Sequence, residues 1–117
     1  KIQNHDTSLY LLGWGVPTFD ALYSLQSLPM TVGKGGDGNF NLGRVSNAEF
    51  DKLVESIKGE VDIKKRNQMI ADALMLHNKQ VMHIPLHNQV IPWAMRKNVT
   101  VVHRADNRLE VQWVKID

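Results

Sequence analysis

The clearest pattern in this sequence is an apolar stripe with the spacing of one helix face. Its members recur at i, i+3, i+4 and i+7, and they are Phe50, Leu53, Val54 and Ile57. Because an α-helix turns once in about 3.6 residues, this spacing buries one side of the helix. Ser46 and Glu49 have the spacing of a capping box at its start. Gly59 is suited to end the helix in the left-handed conformation.

Two further helices are predicted on either side of this one. The longer begins after Asp62 as the N-cap and continues to about Val81. Its apolar stripe consists of Met69, Ile70, Ala73, Leu74, His77 and Val81. A short turn separates it from the preceding helix, so we expect an antiparallel pair. The shorter helix is capped by Asp20 and continues through Leu28, where Pro29 ends it.

Strand patterns lie towards both ends of the chain. The predicted strands are Leu9–Leu12, His83–His87, Val99–Val102 and Leu109–Val114. Pro85 favours the extended conformation in the second of these, because it removes a backbone donor from any helix. Asp106 and Asn107 predict the turn between the last two strands. A glycine-rich stretch, residues 33–43, predicts a flexible surface loop.

Composition places the chain among ordinary soluble globular proteins. It has 117 residues, of which 43% are hydrophobic and 22% charged, with a net charge of +2. The only dense cationic run is Lys64–Arg66, which argues against a nucleic-acid partner. The chain contains no cysteine, so disulfides, thiol nucleophiles and cysteine-ligated zinc are excluded. No apolar run approaches the roughly 20 residues of a membrane span.

Metal and catalytic patterns are incomplete wherever they begin. His83 and His87 would lie about 13 Å apart on a strand, too far to share one ion. The loop at residues 33–43 lacks both the ending of a phosphate-binding loop and the key ligands of a calcium loop. No serine lies in a nucleophile elbow. We therefore expect no enzyme activity, no cofactor and no metal site.

Trp14 is the strongest candidate for ligand contact. It stands between Gly13 and Gly15 at the end of the first predicted strand. Ligand clefts of α/β folds usually lie at the carboxyl ends of strands, so Trp14 is placed to line a crevice. The alternative interpretation is a core tryptophan beneath the loop, and the pattern leaves both open.

The order of these signals resembles one family, the peptide/nickel type (family 5) of solute-binding proteins that serve ABC transporters. The resemblance covers nearly the whole chain, and single motifs are weaker than the ordered set. The segments that carry it are Leu11–Gly15 with Asp20, Asn41–Leu53, Asp62–Arg66, Ile84–Leu86 and Met95–Val99.

The resemblance implies an α/β chain from the C-terminal part of a two-lobed periplasmic-binding-protein type II fold. Residues 1–98 would belong to the C-terminal ligand-binding lobe, and residues 99–117 would be terminal strands returning towards an absent N-terminal lobe. The implied function is capture of a peptide or similar small solute in the periplasm and its delivery to an ABC permease in the inner membrane. Unpaired strand edges make dimerisation by strand pairing an expectation for this piece.

Site residues follow from the resemblance position by position. Trp14 is expected to stack on the ligand, Gly15 and Val16 to bond it through the backbone, and Asn41 to supply a polar contact. In relatives that capture peptide N-termini, an acidic residue about three positions beyond the tryptophan pairs with the amine, and here Pro17 stands there. Asp20 either replaces that acid or caps the next helix.

Two alternatives to peptide transport stay open at this point. Within the family, the cargo can be a nickel chelate, a sugar-like molecule or an amino-acid derivative. Outside it, the chain can be a self-contained interaction or oligomerisation domain without a small ligand.

Overall fold

Three α-helices form in the computed structural model, which describes residues 1–117. They are α1 (Ala21–Ser27), α2 (Ala48–Gly59) and α3 (Ile63–Lys79), close to the predicted ranges. Asp20 caps α1 and Asp62 caps α3, as predicted, because each carboxylate accepts a backbone N–H of the first helical turn. The chain divides into two compact units, Lys1–Ile84 and Pro85–Asp117, and all three helices belong to the first.

The ends of α2 differ from the prediction. Its N-cap is Asn47 and not Ser46: the Asn47 Oδ1 atom accepts the N–H groups of Glu49 and Phe50, both at 3.0 Å. The Ser46 hydroxyl instead accepts a hydrogen bond from Thr31. Asparagine is among the best N-caps, so it takes the position one residue later. Gly59 stays helical, and the left-handed ending predicted for it is wrong, since the chain leaves the helix at Glu60 with extended backbone.

The hydrophobic core lies where α1, α2 and α3 meet. Its buried members are Leu25, Met30, Phe50, Val54, Ile57 and Ala73. Three of them, Phe50, Val54 and Ile57, come from the predicted stripe of α2 and are fully buried. From α3 only Ala73 is buried completely, and Leu74 and Val81, predicted on the same stripe, are exposed. The longer helix therefore covers the core with a narrower face than its sequence pattern indicates.

The glycine-rich segment, residues 33–43, is a loop whose backbone is tied to α1. Gly38 donates to the carbonyl of Gln26 at 2.9 Å, and Phe40 donates to the carbonyl of Ser27 at 3.0 Å. Asp37 accepts hydrogen bonds from Gln26 and from Lys58 of α2. The loop thus has defined contacts to both helices.

The second unit contains one small antiparallel sheet. Its strands are β1 (Val99–Thr100) and β2 (Lys115–Ile116), with Val99 opposite Ile116. The strand predicted at Val99–Val102 therefore extends over its first two residues only. The strand predicted at Leu109–Val114 is wrong, because the backbone turns there into a 3-10 helix, Val111–Trp113. A turn at Asp106 and Asn107 forms as predicted, with the Asn107 amide bonded to the carbonyl of Arg104.

The strands predicted at Leu9–Leu12 and His83–His87 do not form. Leu9 and Leu11 are not buried either, with 81% and 76% of their surfaces exposed. A strand exists only when a neighbouring strand accepts its backbone hydrogen bonds, and neither segment has such a neighbour. The observed fold is a mixed one, three helices and a two-stranded sheet.

Candidate ligand-contact site around Trp14

Trp14 is held by three residues from two elements. Its indole Nε1 donates to the hydroxyl of Ser24 in α1 at 3.0 Å. Its ring stacks on Tyr23 at a centroid distance of 5.5 Å and meets the ring of Phe40 edge-on at 5.1 Å. Aromatic pairs at these distances add about 0.5–1.5 kcal/mol each beyond the area that they bury. The indole is therefore fixed in orientation by the start of α1 and the glycine-rich loop.

Part of the Trp14 surface, and the two glycines beside it, are exposed to solvent. The indole itself is half-buried, so neither the fully sealed core position nor a freely projecting ring describes it. A Cβ atom placed on Gly13 or on Gly15 would meet no atom within 4 Å. Both glycines that flank Trp14 therefore face open space. With its N–H already bonded to Ser24, the indole offers a visiting molecule apolar and aromatic contact.

Gly15 and Val16 continue from Trp14 into a turn. The carbonyl of Val16 accepts the amide of Phe19 at 3.3 Å, and Phe19 has a left-handed backbone with φ of 54°. Gly15 is exposed and its amide takes part in no backbone hydrogen bond. Backbone contact by Gly15 is therefore sterically open, and it stays a prediction.

Asp20 is engaged within the protein. Its Oδ1 atom accepts the amide of Leu22 at 2.8 Å, and both carboxylate oxygens accept hydrogen bonds from Nη2 of Arg66 in α3, at 3.1 and 2.8 Å. The pKa of Asp20 lies below its ordinary value, because the hydrogen bond from the Leu22 amide and, with a smaller effect, the Arg66 guanidinium stabilise the carboxylate. Of the two interpretations of Asp20, the N-cap is confirmed. A ligand ammonium group would have to compete with Arg66 for this carboxylate.

Asn41 organises the loop from inside. Only 3% of its surface is exposed, and its Nδ2 atom donates to the carbonyls of Met30 and Val45 at 2.9 and 2.7 Å. Its Oδ1 atom accepts the amide of Val45 at 3.0 Å. Both side-chain N–H groups are thus used internally. Asn41 directly follows Phe40, so it positions that ring against Trp14, and direct ligand contact by Asn41 stays a prediction.

Four of the five predicted site residues lie at or just before the start of α1, namely Trp14, Gly15, Val16 and Asp20. The structure adds residues that the sequence patterns did not single out. Tyr23, Ser24 and Phe40 hold the indole, and Arg66 neutralises Asp20. The aromatic type and helical position of Tyr23 are visible in the sequence. The pairings of Phe40 with Trp14 and of Arg66 with Asp20 join residues far apart in the chain, and no local pattern signals them.

Two other kinds of site would be a metal cluster and a surface groove. No group of three or more histidines, aspartates or glutamates is arranged to hold a metal ion. The second unit has a shallow groove of about 430 Å³ beside His103 and Arg104. The Arg104 guanidinium there is already paired with Asp106 at 2.9 and 2.6 Å.

No helix has the length and apolar character required to cross a bilayer.

Comparison with known proteins adds no relative to this picture. No family model, no curated protein and no solved structure matches the chain.

Proposed function

We propose that this chain is the solute-binding component of an ABC transporter, or a part of it, which captures a peptide or similar small solute outside the inner membrane. It would deliver the solute to the membrane permease and carry out no chemical reaction. In this proposal the chain contributes part of the C-terminal lobe of a two-lobed protein, and the location is periplasmic. The order of motifs from Leu11–Gly15 to Met95–Val99 supports the family assignment.

One observation carries the proposal at the level of the site. Trp14 is immobilised by Ser24, Tyr23 and Phe40, yet it is only partly buried, and the two glycines beside it face open space. A rigid aromatic surface costs a ligand little ordering entropy, because the side chain is already in position. Such a surface suits recognition of an apolar or planar group.

Exposed apolar segments support the view that the chain belongs to a larger assembly of elements. Leu9 and Leu11 lie in an extended stretch without a strand partner, and Leu86 and Val90 in the second unit are 66% and 85% exposed. A contiguous and largely exposed apolar run such as Leu9–Leu12 is normally covered by further structure. In the proposed parent protein, neighbouring strands of the same lobe would cover the segment at Leu9–Leu12.

In the proposed two-lobed protein, the ligand would be captured and released through contacts with both lobes. The ligand would touch Trp14 on one side and the other lobe on the opposite side, and both contacts exist only when the lobes are closed. Ligand binding therefore shifts the population to the closed form, which the permease recognises. The pairing of Asp20 with Arg66 leaves the first wall without a free carboxylate beside Trp14, so the cargo is held there by apolar and backbone contacts.

A second candidate function is supported by the same exposed segments. A self-contained interaction or oligomerisation domain would use them to pair with a second copy, for instance through the edge of the two-stranded sheet. Light scattering of this chain tests the second function. A monomer removes it, whereas a dimer is expected under both functions, because unpaired strand edges are present in either case.

The test of transport uses the complete gene product that contains this chain. Native mass spectrometry identifies the solute that co-purifies, and calorimetry measures its affinity for the wild type, for Trp14→Ala and for the control Trp93→Ala. Trp93 lies in the second unit, where its indole donates to Asn107. We expect Trp14→Ala to weaken binding at least about tenfold, which corresponds to about 1.4 kcal/mol. Equal affinity in all three proteins would remove Trp14 from the site.

A folding control keeps this result interpretable. Trp14→Phe retains an aromatic ring against Tyr23 and Phe40 but loses the hydrogen bond to Ser24. If Trp14→Ala unfolds the protein, binding by Trp14→Phe is compared at matched thermal stability. Because the phenyl ring presents a smaller aromatic face, we expect Trp14→Phe to bind the solute more weakly than the wild type, and equal affinity would show that recognition does not use the larger face of the indole.

A further inference from the structure

The end of α3 carries a pair of imidazoles in direct contact. Nε2 of His77 and Nδ1 of His83 are 3.0 Å apart, and the two ring planes differ by only 10°. The ring centroids are 5.2 Å apart. With nitrogens so close and centroids so distant, the rings meet end to end in nearly one plane. This is the geometry of an N–H···N hydrogen bond, in which one ring donates and the other accepts.

The backbone between the two histidines makes a strained turn. The Val81 amide donates to the carbonyl of Asn78, and the Met82 amide donates to the carbonyl of His77, which closes the last turn of α3. Val81 has φ of 49°, a left-handed conformation that a β-branched residue rarely adopts. Such conformations persist only where surrounding contacts hold them. The contact between His77 and His83 spans this turn.

A metal ion between the rings does not explain the pair. Two imidazoles that point at each other along one line would each lie about 2.0–2.1 Å from a zinc ion, which requires nitrogens about 4 Å apart. The observed separation is 3.0 Å, and no third ligand stands beside the pair. The distance fits an N–H···N hydrogen bond between the two rings.

We propose that the hydrogen bond between His77 and His83 is a pH-sensitive switch. It keeps the Val81 turn closed near neutral pH, and it breaks on acidification, which allows the turn to open. When both rings are protonated, both are donors, so the hydrogen bond is lost and two cations face each other. Release frees Met82 to Ile84, the last residues of the first unit. The inference rests on the end of α3 and does not depend on the transport function.

The electrostatic surroundings agree with this role. Burial of the His83 ring, and after it the positive charge of His77, lowers the pKa of His83 below its ordinary value of 6.5. Apart from His77, no charged residue of α2 or α3 shifts the pKa of His83, and this includes Asp72 and Lys79 on α3, which are nearest to His77 in the sequence. α1 contains no charged residue. No carboxylate is therefore placed to stabilise the doubly protonated pair.

The direction of the pH effect follows from linkage. Because the pKa of His83 is lower in the folded state, His83 binds less proton in the folded protein than in the unfolded chain between its lowered pKa and about pH 6.5. The stabilisation is present above that pH and is lost as the pH falls through the lowered pKa. The release is therefore acid-driven and local to the end of α3.

Amide hydrogen exchange of this chain, followed by NMR at about pH 7.5 and about pH 5, tests whether the bond between His77 and His83 opens with acid. After correction for the intrinsic pH dependence of exchange, we expect the Val81 and Met82 amides to lose at least about tenfold in protection at the lower pH. The Phe50 amide, bonded to the uncharged side chain of Asn47, serves as the internal control and should change little.

Two variants separate the pair from general acid sensitivity. His77→Gln keeps a donor towards His83 but removes one of the two charges, so the acid response at Val81 and Met82 should fall below that of the wild type, while the part that comes from burial of His83 remains. His87→Gln removes an exposed histidine outside the pair and should respond like the wild type. A full acid response in His77→Gln, or equal protection of the wild type at both pH values, would overturn the proposal.

A titration of the wild type covers the case in which His77→Gln does not fold. A proton-sharing pair titrates in two separated steps, the lower one below the ordinary histidine range. Imidazole resonances of His77 and His83 that each follow one independent step near pH 6.5 would contradict the shared proton.

Discussion

The two units of the chain are stabilised in different ways. In the first unit, three helices enclose an apolar core in which Phe50, Val54 and Ile57 are fully buried. The second unit buries no large apolar side chain completely and is held by polar pairs, chiefly Arg104 with Asp106 and Trp93 with Asn107. Apolar burial resists acid and salt, whereas exposed ion pairs contribute little and are sensitive to both. The first unit should therefore account for most of the stability.

The largest expected effect is the loss of a core ring from the first unit. Phe50→Ala should lower the free energy of unfolding by about 3–5 kcal/mol, since it leaves a cavity among packed helices. Val111→Ala in the second unit serves as the control, because Val111 is 72% exposed. It should change stability by less than about 0.5 kcal/mol. Urea unfolding followed by far-UV circular dichroism measures both, and similar values for the two variants would abolish the contrast.

The next effect concerns the turn that ties the glycine-rich loop to α1. Gly38 has φ of 60°, and a Cβ there would overlap the carbonyl oxygen of Met30 and crowd the backbone of Thr31 and Val32. Gly38→Ala should cost about 2–3 kcal/mol, from both strain and overlap. Gly35→Ala has the strain of a positive φ without a neighbouring atom, and it should cost about 1 kcal/mol. Equal losses measured by thermal unfolding would mean that the overlap is relieved by movement of the loop.

A smaller effect distinguishes the observed helix cap from the one that the sequence pattern indicates. Asn47→Ala should destabilise α2 by about 1 kcal/mol, since two amides lose their acceptor. Ser46→Ala removes only a hydroxyl pair with Thr31 at the surface and should cost less than about 0.5 kcal/mol. The reverse order in urea unfolding would assign the cap to Ser46.

The smallest effect is acid sensitivity in the second unit. The Arg104 guanidinium lowers the pKa of Asp106 below its ordinary value of 3.8, so this contact stabilises the unit above that pH. The stabilisation is lost as the pH falls below 3.8 and through the lowered pKa. In Asp106→Asn this acid-dependent change should disappear from the Trp113 indole resonance, which lies beside Arg104. An unchanged acid transition in the variant would show that another group causes it.

The helices could be predicted from the sequence because their signals are local. The stripe of α2 and the caps Asp20 and Asp62 depend on residues within a few positions of one another. Strands depend on partners distant in the chain, and so Leu9–Leu12, a good apolar run, forms no strand in the absence of a neighbour. At Leu109–Val114 the alternation was real, but the backbone turns there and the Trp113 ring lies under the Arg104 guanidinium.

The candidate site shows the same division. Trp14 could be selected from its glycine neighbours, and the capping role of Asp20 from its place before α1. Three contacts of the site depend on tertiary packing. They are the hydrogen bond from Trp14 to Ser24, the contact of the Phe40 ring with Trp14, and the ion pair of Arg66 with Asp20. Asn41 was selected as a ligand contact by its position in a motif, and its burial by the loop could not be anticipated from that motif.

We propose that Trp14, anchored and partly buried, forms part of a solute-binding surface, and its fluorescence tests this most directly. The chain has three tryptophans, so replacing Trp93 and Trp113 by phenylalanine in the complete gene product leaves Trp14 as the reporter within this chain. Tryptophans elsewhere in that product are replaced in the same way. We predict that adding the solute identified by mass spectrometry shifts Trp14 fluorescence to shorter wavelength and protects it from acrylamide quenching. An emission spectrum and a quenching constant that stay the same at saturating solute would contradict the account.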